Sequence, residues 1–137
     1  MTGSTDPLEL YREALRLRLE LGHRTLSVQE IVCAYNGTGP EWMPSWIRRS
    51  LDSISGFMLP AVLVHDLDDE YGERTLRSFR ASNNRFERNA LSCADQTYAD
   101  RPVRRRSARC QARLYAGLCR LFGWAGYGAS PSENNAN

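Results

Sequence analysis

The chain lacks several features that would assign it to a class at once. It has no lysine, so all 18 basic residues are arginine, a bias that indicates a GC-rich coding genome and not a function. No apolar run approaches the roughly 20 residues that cross a bilayer, and the longest, residues 57–64, is interrupted by Pro60. Residues 1–7 show no basic region followed by an apolar stretch. We therefore expect neither a membrane-spanning helix nor a cleaved secretory signal.

Cysteine and histidine are also sparse. The four cysteines form no CxxC pair and show no metal-ligand spacing with the only two histidines, His23 and His65. A zinc site is therefore not expected. In a chain without an export signal, the cysteines should stay reduced and pack as small hydrophobic side chains.

What remains is the composition of an ordinary globular domain. Hydrophobic residues make up 42% and charged residues 25% of 137 positions, which suits one hydrophobic core. No segment alternates apolar and polar residues as a strand does over more than a few positions, so the predicted class is all-α. We expect a flexible N-terminus at residues 1–5, a single all-α domain at residues 6–128 and a disordered tail at residues 129–137.

Apolar residues recur at helical spacing in six segments. The expected architecture is a compact bundle of five to six helices with a central antiparallel helix pair that carries His65-Asp66 and Asn83. The predicted helices run from Asp6-Pro7 to about Gly22, from Ser27 with a capping box at Glu30 to Ala34, from Pro44 or Ser45 to about Ser55, from Leu59-Pro60 to Tyr71-Gly72, from Leu76 to before Pro102, and from Arg104 to Phe122.

One loop and one helix could form a metal site. In the stretch 35–39, glycines alternate with other residues, so successive carbonyls can turn toward one point without interference from Cβ atoms. Calcium needs six to eight oxygen ligands, so a carboxylate must join these carbonyls. Asp66, on the helix that also carries His65, is the obvious candidate. A plain helix-breaking turn and a structural His-Asp pair are the alternatives.

These residues resemble the phospholipase A2 family, both secreted enzymes and the parvoviral capsid domain. The match consists of a Tyr-x-Gly-x-Gly loop at Tyr35, Gly37 and Gly39, followed by a helix bearing His65-Asp66. The resemblance implies that the three loop carbonyls and the Asp66 carboxylate bind Ca²⁺. It also implies that His65 takes a proton from the water that attacks an ester.

The family orients its histidine with an aspartate from the next antiparallel helix. Counting back from the turn at Gly72 places residues 80–84 opposite His65, and Asn83 stands where the parvoviral domain has its aspartate. Asp95 resembles the secreted enzymes' motif but lies about 12 residues further along. We favour Asn83 as the neighbour of His65, with Asp95 as the alternative.

A second resemblance covers about 90 residues. Its blocks, at residues 34–42, 65–68, 83–89 and 121–124, look like those of small tailed-phage and prophage proteins without an established activity. This resemblance implies a viral origin, with the protein in the host cytoplasm or in the phage particle.

Charge is distributed unevenly along the chain. Residues 101–120 contain seven arginines and no acid, whereas residues 66–73 contain five acids. Each group can be a solvated face, and the acids could bind divalent ions weakly. The basic helix is expected to be a solvated face or to dock on an acidic partner, such as the acidic residues of another copy, more readily than on nucleic acid or an anionic membrane.

Two functional hypotheses follow. The first is a phage-encoded, Ca²⁺-dependent, phospholipase A2-like esterase that acts on phospholipid through His65. The second is a non-enzymatic virion, assembly or host-interaction protein that binds other phage proteins and has lost the chemistry, as Asn83 in place of an aspartate suggests.

Overall fold

The computed structural model describes residues 6–22, 25–34 and 56–128, with side chains as far as Trp124. These residues form five α-helices and a short 3₁₀ turn at Gly56–Met58. The helices are α1 (Pro7–Arg16), α2 (Val28–Ala34), α3 (Leu59–Tyr71), α4 (Leu76–Thr97) and α5 (Pro102–Gly128). All regular structure in the described ranges is helical, which confirms the all-α class. The predicted N-terminal segment, the helix ending near Ser55 and the tail lie outside these ranges.

Helix α1 begins as predicted and ends earlier than predicted. The Asp6 side chain accepts a hydrogen bond from the Leu8 amide, and Pro7 opens the helix. The end is at Arg16, not near Gly22, because Arg18 adopts a left-handed conformation with φ of 54°. The Arg18 amide then donates to Leu15 and the Leu19 amide to Ala14, which is the Schellman ending of a helix.

Helix α2 starts with the predicted capping box. The Ser27 amide donates to the Glu30 carboxylate at 2.7 Å, and the Glu30 amide donates to the Ser27 hydroxyl at 3.3 Å. The two residues satisfy each other's unpaired amides at the start of the helix. This part of the prediction is confirmed.

Helix α3 lies at the centre of the described fold. Its residues from Pro60 to Val64, together with Leu67 and Asp68, are buried, so the first half of the helix is covered on nearly every side. A helical segment that is apolar around its circumference is typical of such a central position. The helix ends at Tyr71 before Gly72, as the sequence predicts.

Helices α3 and α4 form the expected antiparallel pair, and α5 returns along α4. The Thr75 side chain caps α4 by accepting a hydrogen bond from the Ser78 amide. Phe86 of α4 lies between His65 of α3 and Tyr115 of α5, at ring-centroid distances of 4.9 and 5.4 Å. This aromatic contact joins the three helices in the core. No helix within the described ranges is long and apolar enough to cross a membrane.

Candidate functional site

His65 lies in the middle of α3 and faces α4. Its side chain is only 11% exposed, and its ring packs on Phe86. Two polar side chains, Asp69 and Ser82, contact its two nitrogens. Asp69 follows His65 by one helical turn, so both project from the same side of α3, while Ser82 approaches from α4.

The three side chains form a closed triangle of polar contacts. Ser82 Oγ lies 3.0 Å from His65 Nδ1 and donates to Asp69 Oδ1 at 3.2 Å. Asp69 Oδ2 lies 3.5 Å from His65 Nε2. We call these three residues the His65 triangle.

Counting protons defines the state of the His65 triangle. A serine hydroxyl has one proton, and since Ser82 donates it to Asp69, its oxygen accepts from His65 Nδ1–H. Partial burial raises the pKa of Asp69 above 3.8, although His65 and Ser82 act in the opposite direction. Ser82 thus bridges the imidazole to a carboxyl group whose burial favours the protonated form.

This geometry restricts the chemistry that His65 can perform. A general base needs a ring nitrogen within hydrogen-bond reach of the proton it removes, and here Ser82 and Asp69 face both nitrogens. Ser82 completes a Ser-His-Asp set, but it is only 3% exposed, so its hydroxyl is shielded from an acyl substrate. The triangle is suited to holding α3 against α4.

The residue opposite His65 differs from the prediction by one position. Asn83 is buried and donates from Nδ2 to the Phe79 carbonyl at 2.9 Å, while its Oδ1 makes no hydrogen bond with a described residue. Asp95, the alternative, pairs with Arg109 of α5. Ser82 therefore replaces Asn83 as the hydrogen-bonding neighbour, and the catalytic role of His65 stays a prediction.

Only one of the four predicted calcium ligands lies in the described ranges. Asp66 is partly exposed, with its Oδ2 atom shielded from solvent, while Tyr35, Gly37 and Gly39 lie outside. One carboxylate supplies too few oxygens for calcium. The described residues contain no group of three or more His, Cys, Asp or Glu side chains placed to hold a metal ion. The calcium site stays a prediction.

The acids after Asp66 do not form one solvated face. Asp68 is buried and accepts from Arg85 at 2.7 Å, and Asp69 belongs to the His65 triangle. Gly22 packs directly against this ion pair, since a Cβ there would lie 1.9 Å from the Arg85 guanidinium. The pair thus joins α3 and α4 to the segment after α1. The sequence of residues 66–73, with its five acids, does not indicate which of them is buried.

Residues 84–89 of the block at residues 83–89, which carries part of the phage resemblance, make structural contacts throughout. The Asn89 side chain accepts from the Glu20 amide at 2.8 Å and donates to the Glu20 carbonyl at 2.9 Å. Arg88 pairs with the Glu20 carboxylate. Asn84 and Glu87 both contact Arg120 of α5. Each polar residue of this block therefore binds another part of the bundle.

All four cysteines are free. Burial raises the pKa of Cys93 and of Cys119 to about 12, so their thiols are poor nucleophiles at neutral pH. Cys33 and Cys110 are exposed.

Comparisons of the chain with models of known protein families, with curated proteins and with solved structures found no match.

Proposed function

We propose that this chain is a non-enzymatic protein of a tailed phage or prophage, which serves in the virion, in assembly or in host interaction. The observation that carries the proposal is the His65 triangle, because it engages both ring nitrogens with side chains of the bundle itself. A histidine whose Nδ1 is within hydrogen-bond distance of Ser82 and whose Nε2 faces Asp69 contributes to the fold and has a protein side chain beside each nitrogen that a substrate would need.

Two further observations support this function. Ser82 is buried, so the triangle offers no accessible nucleophile. Residues 84–89 of the phage-like block at residues 83–89 make contacts that hold the helices together, as the residues of a structural scaffold do. Host cytoplasm or phage particle is the proposed location.

The test is hydrolysis of a fluorescent anionic phospholipid in the presence of Ca²⁺, with wild type and His65→Ala compared at equal concentration. We expect both rates to equal the buffer background, while His65→Ala lowers the melting temperature. Calcium-dependent hydrolysis by the wild type that a folded His65→Ala protein loses would refute the proposal.

A phospholipase A2-like esterase is the second candidate function, favoured by one observation. Asp69 faces His65 Nε2 at 3.5 Å, so the imidazole has a carboxylate beside it even though Asn83 is not an acid. If Ser82 released Nδ1 and the ring proton lay on Nε2 beside the carboxylate, Nδ1 could accept a proton from water, with the carboxylate supporting the charge on the ring.

Calcium binding separates the two functions without an activity assay. The esterase predicts that Ca²⁺ raises the melting temperature and that Asp66→Ala removes the shift. Asp95→Ala is the matched control, because it also deletes one partly exposed carboxylate and lies at the Arg109 pair. No calcium shift in the wild type, or an equal loss of it in both variants, would count against the esterase.

A further inference from the structure

Helix α5 has an outward face that is not covered by α4. Its inner face buries Ala108, Ala112, Tyr115 and Ala116. On the opposite side, Val103, Leu114 and Leu121 are 82%, 68% and 76% exposed, which makes them the most exposed large apolar side chains among the described residues. Single exposed apolar residues are ordinary, but three along one line of a helix indicate a contact surface.

These residues belong to a regular repeat. The sequence places Val103, Ser107, Cys110, Leu114, Gly117 and Leu121 at alternating intervals of four and three residues, and we call this line the outer seam. A mean spacing of 3.5 residues keeps a stripe facing a second helix as the two wind around each other. The small residues of the seam leave holes between the large ones, which side chains of a second helix can fill.

Positive charge borders the outer seam on both sides. Arg104, Arg106 and Arg113 are exposed and form no ion pair with a described residue. No acid occurs between Pro102 and Trp124. At the start of α5, Arg106 also lines an open groove with Arg105, Arg109 and Asp95. In paired helices, residues in these flanking positions select partners of opposite charge.

We propose that the outer seam docks one helix of another protein, with leucine-like residues along its contact line and carboxylates on its flanks. This deepens the proposed interaction role and rests on it, because it names the class of partner that such a protein would bind. The partner's apolar residues fill the seam, and its carboxylates pair with the flanking arginines.

The same features disfavour other occupants. A membrane surface takes up a helix with a wide apolar face, whereas exposed arginines border this stripe between Arg104 and Arg113. The seam of a second copy would bring arginines against arginines. In a second copy, Asp68 and Asp69 are already bound within the bundle, which leaves fewer acids to pair with the flanking arginines. Nucleic acid would leave the apolar centre of the face exposed.

The experiment uses the full chain and a synthetic peptide of four heptads, with leucine at the contact positions and glutamate at the flanking positions. Its matched control has lysine in place of glutamate. We expect calorimetry to detect binding of the glutamate peptide alone, weakening as salt is raised. The double variant Leu114→Ala/Leu121→Ala should lose at least tenfold in affinity, while Val28→Ala, which is 59% exposed on α2, should bind as wild type does.

Several results would overturn the proposal. These are equal binding of both peptides, unchanged affinity in the double variant, or seam-dependent binding to phosphatidylglycerol vesicles or duplex DNA without binding of the glutamate peptide. A seam-dependent dimer in sedimentation would also overturn it.

Maleimide labelling of Cys110 in a Cys33→Ser background tests whether the outer seam is accessible. Rapid labelling of Cys110 that the glutamate peptide suppresses would support the proposal. Resistance of Cys110 to labelling in the isolated chain would overturn it.

Peptide binding and lipid hydrolysis test the two proposals independently. Hydrolysis that depends on His65 would remove the proposed function and leave peptide binding unaffected. Loss of peptide binding without any hydrolysis would remove the seam alone.

Discussion

Ser82→Ala tests the His65 triangle by removing the hydroxyl that joins its other two members. The wild-type hydroxyl makes two contacts, at 3.0 and 3.2 Å, and is buried. Each hydrogen bond is worth about 0.5–1.5 kcal/mol net, and alanine recovers a few tenths of a kcal/mol through its higher helix propensity. We therefore expect a loss of about 1–2 kcal/mol in the free energy of unfolding.

The assay is urea unfolding followed by circular dichroism, supported by thermal melting. In a domain of this size the loss corresponds to a melting temperature lower by roughly 3–6 °C. Ser92→Ala is the matched control, since Ser92 lies on the same helix and, among the described residues, its hydroxyl is bonded only by Gln96 near the surface. That variant should change stability by less than about 0.5 kcal/mol. If Ser82→Ala is as stable as Ser92→Ala, the triangle does not hold the two helices together.

Three further predictions extend the account. Asp69→Asn keeps an acceptor for Ser82 and adds a donor for His65 Nε2, and it removes an acid whose pKa burial raises. A carboxyl group with a raised pKa stabilises the folded wild type only at low pH, and this contribution is lost as pH rises through the folded pKa. The stability of Asp69→Asn relative to wild type should therefore increase from about pH 4 upward. A difference in the free energy of unfolding that stays constant with pH would contradict this. Arg85→Ala should lower the free energy of unfolding by about 3 kcal/mol, because it leaves the buried Asp68 without its guanidinium. Arg88→Ala, which breaks the exposed pair with Glu20, should lower it by at most about 1 kcal/mol. Similar losses in the two variants would show that burial does not decide the effect. Arg18→Gly should stabilise the chain by about 0.5–1 kcal/mol, because glycine adopts φ of 54° without strain, and a lower melting temperature would argue against the left-handed ending of α1.

Local signals in the sequence predicted the helix starts well. The Ser27 and Glu30 pair, and Pro7 and Pro60 near the first positions of their helices, act within a few residues of chain, so the sequence contains all the information they need. The end of α1 was missed for the opposite reason. Arginine seldom adopts the left-handed conformation that closes a helix, and Leu19 and Leu21 continued the apolar pattern beyond the true end.

The candidate site was predicted only in part because its partners come from different helices. Helix lengths and the turn at Gly72 placed residues 80–84 opposite His65, and Ser82 lies within that range. The choice between Ser82 and Asn83 depends on the rotation of α4 about its axis, which counting residues does not give. The i, i+4 spacing of His65 and Asp69 was a usable local signal. No local signal in the sequence indicated the Asp68–Arg85 pair, since any of the five acids could have paired with any nearby arginine.

The central claim, that side chains of the bundle contact both nitrogens of His65, is tested most directly by ¹⁵N NMR of the imidazole ring in wild type and Ser82→Ala. The account predicts a proton on Nδ1 that exchanges slowly with water in the wild type and rapidly in Ser82→Ala. A ring whose protons exchange as fast as those of free imidazole, with the same spectrum in both proteins, would contradict it.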